Sequence, residues 1–308
     1  MSVAAPPARA PRPGGRLVWT RLLRHRLAQA SLAFLIVLLT LALFAPVLAA
    51  LRHIDPTETD LFRRFEPPSA EHWLGTDELG RDLLQRLLDG GRVSLQVGVA
   101  GALLSAVIGA FVGVLAGYLG GRLDAVLMRF ADGVISLPLL PLLIVLAAID
   151  PRKLGVPDAI AQSESFSLYR IVVIVSLTGW TTVARLVRAE TLSLKQRDFA
   201  RAARALGATP ARIMLRHILP NTAGSLVVAT TMSVGSLILL ESTLSFLGLG
   251  IQPPAASWGN MLTGAQELLY QAPVLALWPG LLIFLTVIAF NFVGDGLQDA
   301  LDPRSERR

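Results

Sequence analysis

The stretch VSLQVGVAGALLSAVIGAFVGVLAGYL, residues 93–119, runs for 27 residues without a formal charge. About 20 predominantly apolar residues are enough for one helix to cross the hydrocarbon core of a bilayer. Its Gly109, Gly113 and Gly117, spaced four apart, predict the close approach of a second helix. Five further apolar runs lie at residues 27–51, 130–149, 168–187, 222–247 and 268–294. We therefore predict an all-α membrane protein with six transmembrane helices.

The composition of the whole chain supports an integral membrane protein. Hydrophobic residues make up 53% of it and charged residues 16%, with a mean hydropathy of +0.57. Ordinary globular chains carry about 25% charged residues, so too few polar side chains remain here to cover a water-facing surface. The absence of cysteine excludes a disulfide scaffold, a thiolate metal site and a cysteine nucleophile. The positive charge lies in the gaps between apolar runs, which predicts membrane lipid and not nucleic acid as a partner.

The positions of Lys and Arg predict how the chain is oriented in the membrane. With a cytoplasmic N terminus, 19 of the 28 basic residues fall on the cytoplasmic side and 9 on the outer side. The outer segment 249–276 contains none of them. We therefore expect both termini in the cytoplasm, together with the connecting segments 120–129 and 185–216.

The first apolar run follows an Arg-rich start, as the core of a signal peptide does. Such a core usually has 7–15 residues, whereas residues 27–51 number 25 and no clean small-x-small cleavage site follows them. We therefore expect a retained membrane anchor. The chain then divides into a disordered cytoplasmic tail at 1–26, the N-terminal transmembrane helix with an external segment at 27–92, a transmembrane core at 93–297 and a cytoplasmic C-terminal tail at 298–308.

The external segment contains a helical signal of its own. Residues 83–88 repeat Leu at the spacing of one helix face, Thr76 is placed to act as N-cap, and Gly90-Gly91 is typical of a helix end. The simpler interpretation is a helix on the outer membrane surface or against the bundle. The alternative is a ligand site.

The stretch 198–220 predicts two short helices joined at a glycine. The first would be capped by Asp198, would stop at Gly207 with a positive φ, and would present one apolar face, formed by Phe199, Ala202, Ala203 and Leu206. Thr209-Pro210 is typical of the N-cap and first residue of a second helix, which Pro220 would end. An interfacial amphipathic helix is the alternative, but a face lined by Ala suits a protein groove better, because Ala buries little area in lipid.

The spacing of Ala202-Ala203, Gly207, His217 and Leu219-Pro220 resembles the EAA loop of bacterial ABC importer permeases. Arg201 stands where that loop usually has Glu, and His217 where it often has Ile. Five further segments resemble the second permease of the dipeptide/oligopeptide/nickel subfamily, namely HWLGTD at 72–77, LSFLG at 244–248, WGNM at 258–261, GDGL at 294–297 and LDPR at 301–304. The resemblance extends from about Arg16 to Arg304.

This resemblance implies a type I, MetI-like importer permease core of five helices with an added N-terminal helix, in the bacterial inner membrane. It implies that residues 198–220 form a coupling loop that seats in an ATPase subunit, with Ala202, Ala203, Gly207, His217, Leu219 and Pro220 as its motif residues. The partners that it implies are a homologous permease in a hetero-dimer, two cytoplasmic ATP-binding subunits and an external substrate-binding protein.

The chain offers no residues for catalysis or cofactor binding. Its histidines lie outside the apolar runs, at His25, His53, His72 and His217, and no GxxxxGK[ST] loop is present. We therefore expect no metal site, no cofactor and no catalytic residue, and ATP hydrolysis on separate subunits. An intramembrane enzyme is excluded because the apolar runs offer Ser and Thr but no His or Lys as a base.

Two acids lie within or near the apolar runs. A carboxylate there costs on the order of 3 kcal/mol unless it is paired or faces water. Asp132 has Arg129 three residues before it, so a local ion pair is the simpler interpretation and a transport role is the alternative. Glu241 lies deeper, and both a structural hydrogen-bonding role and a pathway-lining role are open for it.

These observations predict the permease subunit of an ATP-driven importer of peptides. The alternative is the same architecture importing nickel or another small solute. In this family the external binding protein usually sets the cargo, so both cargo classes stay open at the level of this sequence.

Overall fold

The computed structural model describes residues 15–23, 25–161 and 163–301. Most of the predicted N-terminal tail, and residues 302–308 of the C-terminal tail, lie outside the described residues. Apart from short 3-10 and π turns and one isolated bridge, the regular structure of this part is α-helical. Its α-helices are α1 Gly15–Leu22, α2 Arg26–Leu51, α3 Leu83–Leu119, α4 Gly121–Ser136, α5 Leu139–Ala148, α6 Asp158–Ala161, α7 Glu164–Leu194, α8 Asp198–Ala205, α9 Pro210–Ile213, α10 Leu219–Phe246, α11 Ala265–Gln271 and α12 Pro273–Leu301.

The described residues include five helices that are long and apolar enough to cross a membrane. They are α2, α3, the stretch Ser165–Leu194 of α7, the continuous stretch Pro210–Phe246 and α12. The pair α4 and α5 passes the same test only when taken together. The all-α membrane fold is confirmed, and the predicted count of six is reached if this pair is one span.

The apolar run at 130–149 is not one straight helix, because α4 and α5 meet at 90°. The chain leaves the helical conformation at Leu137, whose φ is −76° and ψ 140°. Pro138 follows, and a proline disfavours the α conformation of the residue before it. The break therefore follows from a single local signal, the Leu137-Pro138 pair.

The helix predicted for 83–88 and the transmembrane run at 93–119 are one helix, α3, of 37 residues. The predicted stop at Gly90-Gly91 is wrong. Both glycines are buried against the loop that contains Trp258. A Cβ on Gly90 would lie 3.2 Å from the Ser257 carbonyl carbon, and one on Gly91 would lie 2.8 Å from Cζ2 of the Trp258 ring. These glycines permit close approach within a helix and do not end it.

The N terminus of α3 also differs from the prediction. Its N-cap is Asp82, whose Oδ1 accepts a hydrogen bond from the Gln85 N–H at 2.7 Å. The hydroxyl of Thr76, which was predicted as the cap, instead accepts the Glu66 N–H at 2.9 Å. The segment before α3 is therefore a folded loop and not part of a surface helix.

The helices α3 and α7 form the centre of the bundle, with α10 against both and with α2 and α12 outside them. The predicted close approach along α3 is confirmed, and its partner is α7. A Cβ on Gly109 would lie 2.6 Å from Val183 Cβ, and one on Gly117 would lie 2.7 Å from Thr191 Cβ.

The bundle has two ends of different construction. At one, which we name the loop end, residues 52–82 and 247–264 meet over the start of α3. At the other, which we name the elbow end, residues 195–220 meet the last turns of α3, and Lys195 Nζ donates a hydrogen bond to the Gly117 carbonyl oxygen at 2.6 Å.

Candidate functional site

The elbow end contains the stretch that resembles the EAA loop. Its first helix, α8, begins at Asp198, but its N-cap is Arg197 and no side chain caps it. The predicted Asp198 cap is therefore wrong. Asp198 lies in the first turn, where its Oδ1 accepts a hydrogen bond from Arg201 Nη2 at 2.6 Å. The basic residue at the position where the EAA loop usually has Glu is thus paired locally with this acid.

Gly207 reverses the chain after α8, as predicted, with a φ of +80°. The Ala208 N–H donates to the Ala203 carbonyl and the Gly207 N–H to the Arg204 carbonyl, both at 3.0 Å. This pair of bonds is the Schellman motif, which favours glycine at the left-handed position. A Cβ on Gly207 would meet no atom within 4 Å. Glycine is therefore required here by the backbone conformation and not by crowding.

The second helix begins as predicted, with Pro210 in its first turn and the Thr209 hydroxyl accepting the Arg212 N–H at 3.4 Å. The prediction that Pro220 ends this helix is wrong. One wide π turn, Met214–Ile218, connects α9 to α10, so residues 210–246 form a continuous helix.

The π turn explains how the helix continues through proline. Pro220 has no N–H to donate and its ring crowds the preceding turn, and π turns are where helices take up such mismatches. Next to it, Asn221 Nδ2 donates to the His217 carbonyl oxygen at 2.7 Å. His217 and Leu219 are half-buried at this turn and Pro220 is exposed.

One side of the elbow packs firmly on the bundle. Ile213 and Ile218 are fully buried in a cluster with Val114, Tyr118 and Val187. Half-buried Ala203 and Ala208 join the same cluster, and the Arg204 guanidinium lies 5.7 Å from the centre of the Tyr118 ring. The elbow is therefore fixed to the last turns of α3 and α7.

The other side of α8 is left uncovered by the described part of the chain. Leu206 is 88% exposed, Phe199 is 39% exposed, and Ala202 is exposed. We name these three residues the elbow face. They keep the spacing of one helix face, as predicted, whereas Ala203, predicted with them, turns toward the bundle.

The structure pairs Asp132 with Arg185 of α7, and not with Arg129 as predicted. A second pair went unpredicted, in which Arg188 binds both carboxylate oxygens of Asp124, at 2.5 and 2.7 Å. Both pairs join α4 to α7. The sequence contains these charges, but which helices face each other depends on tertiary packing.

Glu241 lies in α10 toward the loop end and is fully buried. Its Oε2 accepts a hydrogen bond from Ser94 Oγ at 2.9 Å and its Oε1 one from Ser245 Oγ at 2.7 Å. Each serine oxygen accepts in turn a backbone N–H of the loop that follows α10, from Trp258 at 3.2 Å and from Ile251 at 3.1 Å. A single carboxylate therefore holds two points of this loop through two serines.

The loop at 247–264 is ordered by further bonds of its own. Trp258 is fully buried, and its Nε1 donates to the Leu87 carbonyl oxygen at 2.9 Å. Asn260 Nδ2 donates to the Ala255 carbonyl at 2.8 Å, and its Oδ1 accepts the Ser257 N–H at 2.9 Å. Two residues of the WGNM motif thus shape the loop and attach it to α3.

Asp82 organises the rest of the loop end. Its carboxylate accepts a hydrogen bond from Arg52 Nη2 at 3.0 Å, and His72 Nδ1 lies 3.0 Å from the same oxygen. The Arg52 guanidinium also lies 4.7 Å from the centre of the Trp73 ring. Throughout the part of the chain that the structure describes, no three His, Asp or Glu side chains are grouped to hold a metal ion.

Comparison with known proteins identifies the family. Residues 109–307 match the family described as the binding-protein-dependent transport system inner membrane component, and residues 15–68 match the N-terminal transmembrane domain of oligopeptide transport permease C. The chain belongs to this transport family. Among its relatives, the oligopeptide transport system permease protein OppC of Bacillus subtilis (strain 168) is 37% identical over 280 residues, which are 91% of this chain and 86% of that protein.

A second relative agrees with this assignment, and a solved structure agrees with the fold. The glutathione transport system permease protein GsiD of Escherichia coli O6:K15:H31 (strain 536 / UPEC) is 40% identical over 290 residues, 93% of this chain and 89% of that protein. The MetNI methionine ABC transporter, solved in inward-facing conformations, matches with a TM-score of 0.56 and 23% identity over 71% of this chain and 98% of that one. At this identity the match supports the fold alone.

The chain is therefore the permease component of a binding-protein-dependent ABC importer, a multi-pass protein of the inner membrane that works with the other components of such a transporter. This confirms the resemblance drawn from the spacing of Ala202-Ala203, Gly207, His217 and Leu219-Pro220 together with the five further segments.

Proposed function

We propose that this chain is one of two homologous permease subunits of an ATP-driven importer of peptides. Two of its relatives are named as permeases for oligopeptide and for glutathione, and glutathione is itself a tripeptide. Import of nickel or another small solute is the alternative cargo on the same fold.

In this proposal the elbow end and both termini face the cytoplasm, and the loop end faces outward to the binding protein. The excess of basic residues in the segments on the side of the termini supports this orientation. Each of the two permeases then contacts one of two ATP-binding subunits, and this chain makes that contact at its elbow end.

The elbow face is the observation that carries the proposal. Leu206 is exposed on it, and the small side chain of Ala202 lets a groove on another protein approach closely. The opposite side of the elbow is fixed to α3 and α7 through Ile213 and Ile218. Because residues 210–246 are one helix, a displacement of the elbow is transmitted along the helix to the loop end.

For Glu241 we propose an anchoring role and not a pathway-lining one. Both carboxylate oxygens already have serine partners, and the side chain is fully buried within the chain. For the charges at Asp132 we propose that the pair with Arg185 positions α4 against α7.

The test of function is uptake by the reconstituted importer. The chain, its homologous permease, the two ATPase subunits and the binding protein are assembled in vesicles with ATP, and uptake of a labelled tripeptide is compared with uptake of Ni²⁺. We expect ATP-dependent tripeptide uptake and no Ni²⁺ uptake. Uptake of Ni²⁺ without tripeptide would overturn the proposed cargo.

The orientation is tested with single cysteines in this cysteine-free chain. Leu206→Cys and Leu154→Cys place thiols at two highly exposed positions at opposite ends of the bundle. In intact cells without the ATPase subunits, an impermeant thiol reagent should label position 154 and reach position 206 only after permeabilisation. The reverse pattern would overturn the orientation.

A further inference from the structure

A cavity of about 590 Å³ opens at the loop end, away from the elbow, and Glu241 does not line it. Its walls are α2, the first turns of α3, the start of α7 and the loop at 251–256. The wall that α3 contributes is mostly polar, formed by Gln85, Arg86, Asp89, Arg92 and Gln96 beside Val93. The walls from α2, α7 and the loop are mostly apolar, with Pro46, Ala49, Leu168, Ile251 and Pro254 among them.

The polar wall presents both signs of charge. Arg86 is buried and its Nη1 donates to the Pro254 carbonyl oxygen at 3.3 Å, which fixes it against the loop. Half-buried Asp89 accepts one hydrogen bond on Oδ2, from Gln85 Nε2 at 3.1 Å. Arg92 is exposed, and its guanidinium makes no ion pair or hydrogen bond with another described residue, while its charge acts on Asp89 one turn away. The cavity therefore offers a guanidinium without a hydrogen-bonded partner one turn from a carboxylate.

Gln85 gives an independent indication of a ligand. Its side chain is fully buried and lines the cavity, and its Oε1 has no hydrogen-bond partner within the described chain. Its Nε2 donates to the Ala45 carbonyl oxygen at 3.0 Å and to Asp89. A buried acceptor left unpaired costs about 1–3 kcal/mol, and a donor group that reaches Oε1 from the cavity would remove that cost.

The charges lie at the depth of lipid headgroups. The charge-free part of α3 starts at Val93 and is long enough to cross the hydrocarbon core, so Asp89 and Arg92 lie at its boundary with water. Beyond them the same helix continues with exposed apolar side chains four residues apart, at Val99, Leu103, Val107 and Phe111. That spacing gives one apolar face leading from the cavity into the membrane.

We propose that this cavity binds the headgroup of a zwitterionic phospholipid that carries a primary ammonium group. The phosphate binds the Arg92 guanidinium, the ammonium donates to Asp89 and to Gln85 Oε1, and an acyl chain lies along Val99, Leu103 and Val107. The acid and the base together favour a zwitterion over an anionic lipid, because both lipids offer a phosphate to Arg92 but only the zwitterion offers a cation to Asp89. With the orientation proposed above, the lipid belongs to the outer leaflet.

The test is lipid retention by the assembled transporter. The transporter is reconstituted in vesicles of equal parts phosphatidylethanolamine, phosphatidylcholine and phosphatidylglycerol and is then extracted and delipidated. Native mass spectrometry measures which lipids stay bound. We expect retained phosphatidylethanolamine to exceed phosphatidylglycerol by about tenfold, the ratio of one strong charge-assisted contact. Phosphatidylcholine should be retained less than phosphatidylethanolamine, because its quaternary ammonium has no N–H to donate. Equal retention of the three lipids in the wild-type complex would overturn the proposal without any variant.

Two variants assign the contacts. Arg92→Gln should lower retention of all three lipids, and Asp89→Asn should shift the preference toward phosphatidylglycerol. Arg152→Gln is the matched control, since Arg152 is exposed on the connection between α5 and α7 but lies outside the cavity, and it should leave retention unchanged. If neither cavity variant changes retention, or if a tripeptide displaces the lipid, the lipid assignment is wrong. These outcomes do not depend on transport, so they are distinct from the tests of the proposed function.

Discussion

The two ends of α10 are completed in opposite ways. At the loop end, both carboxylate oxygens of Glu241 have hydrogen-bond partners in the same chain. Trp258 is also fully buried within this chain. At the elbow end, Leu206 is 88% exposed and the elbow face has no covering side chain among the described residues. The difference indicates that the Glu241 network and Trp258 at the loop end are completed within this chain, whereas we propose that the elbow face is covered by another subunit.

This contrast separates two kinds of effect. A substitution at the loop end should lower the stability of the permease itself. A substitution on the elbow face should leave that stability nearly unchanged and weaken the contact with the ATPase subunit.

Trp258→Ala should destabilise the permease by about 3–5 kcal/mol, the range for truncating a buried tryptophan. It empties the space beside Gly91 and removes the hydrogen bond to the Leu87 carbonyl oxygen. Thermal unfolding of the purified permease measures the loss. The control is Trp73→Ala, because Trp73 lies at the same end but is 54% exposed. Equal unfolding midpoints for the two variants would contradict the account of the loop end.

Glu241→Leu should cost about 1–3 kcal/mol, because it leaves the buried hydroxyls of Ser94 and Ser245 without their acceptor. Glu241→Gln keeps a carbonyl oxygen in place and should cost less. The unfolding midpoints of both variants are compared with their rates of peptide uptake. An anchoring role predicts that Glu241→Gln transports nearly as well as the wild type. Loss of uptake in a Glu241→Gln variant of normal stability would favour a role for the charge in the pathway.

Leu206→Ser should change the folding free energy by no more than about 0.5 kcal/mol, as is usual for an exposed position. Binding of the ATPase subunit should weaken by about tenfold, as for truncation of a central apolar contact in an interface. Titration of the ATPase subunit onto the permease measures this affinity. Leu154→Ser, at a 73% exposed position near the other end, is the control and should bind normally. An unchanged affinity for Leu206→Ser would mean that the elbow face is not the contact.

The elbow end was the more predictable of the two from sequence. The positive φ of Gly207, the start of the second helix at Thr209-Pro210 and the spacing of the elbow face depend on neighbours within a few residues. Two predictions at that end are wrong, namely the Asp198 cap and the helix stop at Pro220. Both errors concern which of several possible local hydrogen bonds forms. A π turn that carries a helix through proline has no simple signature in the sequence.

The loop end was less predictable because its contacts join residues that are distant in the chain. Gly90-Gly91 is typical of a helix end until Trp258 is placed against it, and the partners of Glu241 include Ser94, 147 positions away. The pair of Asp132 with Arg185, which joins α4 to α7, was also missed because the two residues are 53 positions apart in the chain. The break at Pro138 is different, because its signal was local and was present in the sequence.

The most direct test of the account is the cargo-stimulated ATP hydrolysis of complexes that contain Gly207→Val. Valine in the left-handed conformation of residue 207 costs on the order of 1–3 kcal/mol of backbone strain. Its Cβ would meet no atom within 4 Å, so we expect the distortion to stay within the elbow. Gly155→Val is the matched control, with the same sign of φ and the same open surroundings in the connection between α5 and α7. Gly207→Asn should restore function, because Asn tolerates this conformation.

We expect Gly207→Val complexes to assemble in the membrane and to lose cargo-stimulated hydrolysis, while Gly155→Val and Gly207→Asn complexes retain it. If Gly207→Val complexes keep the full stimulation by cargo, residues 198–220 do not couple ATP hydrolysis to this permease.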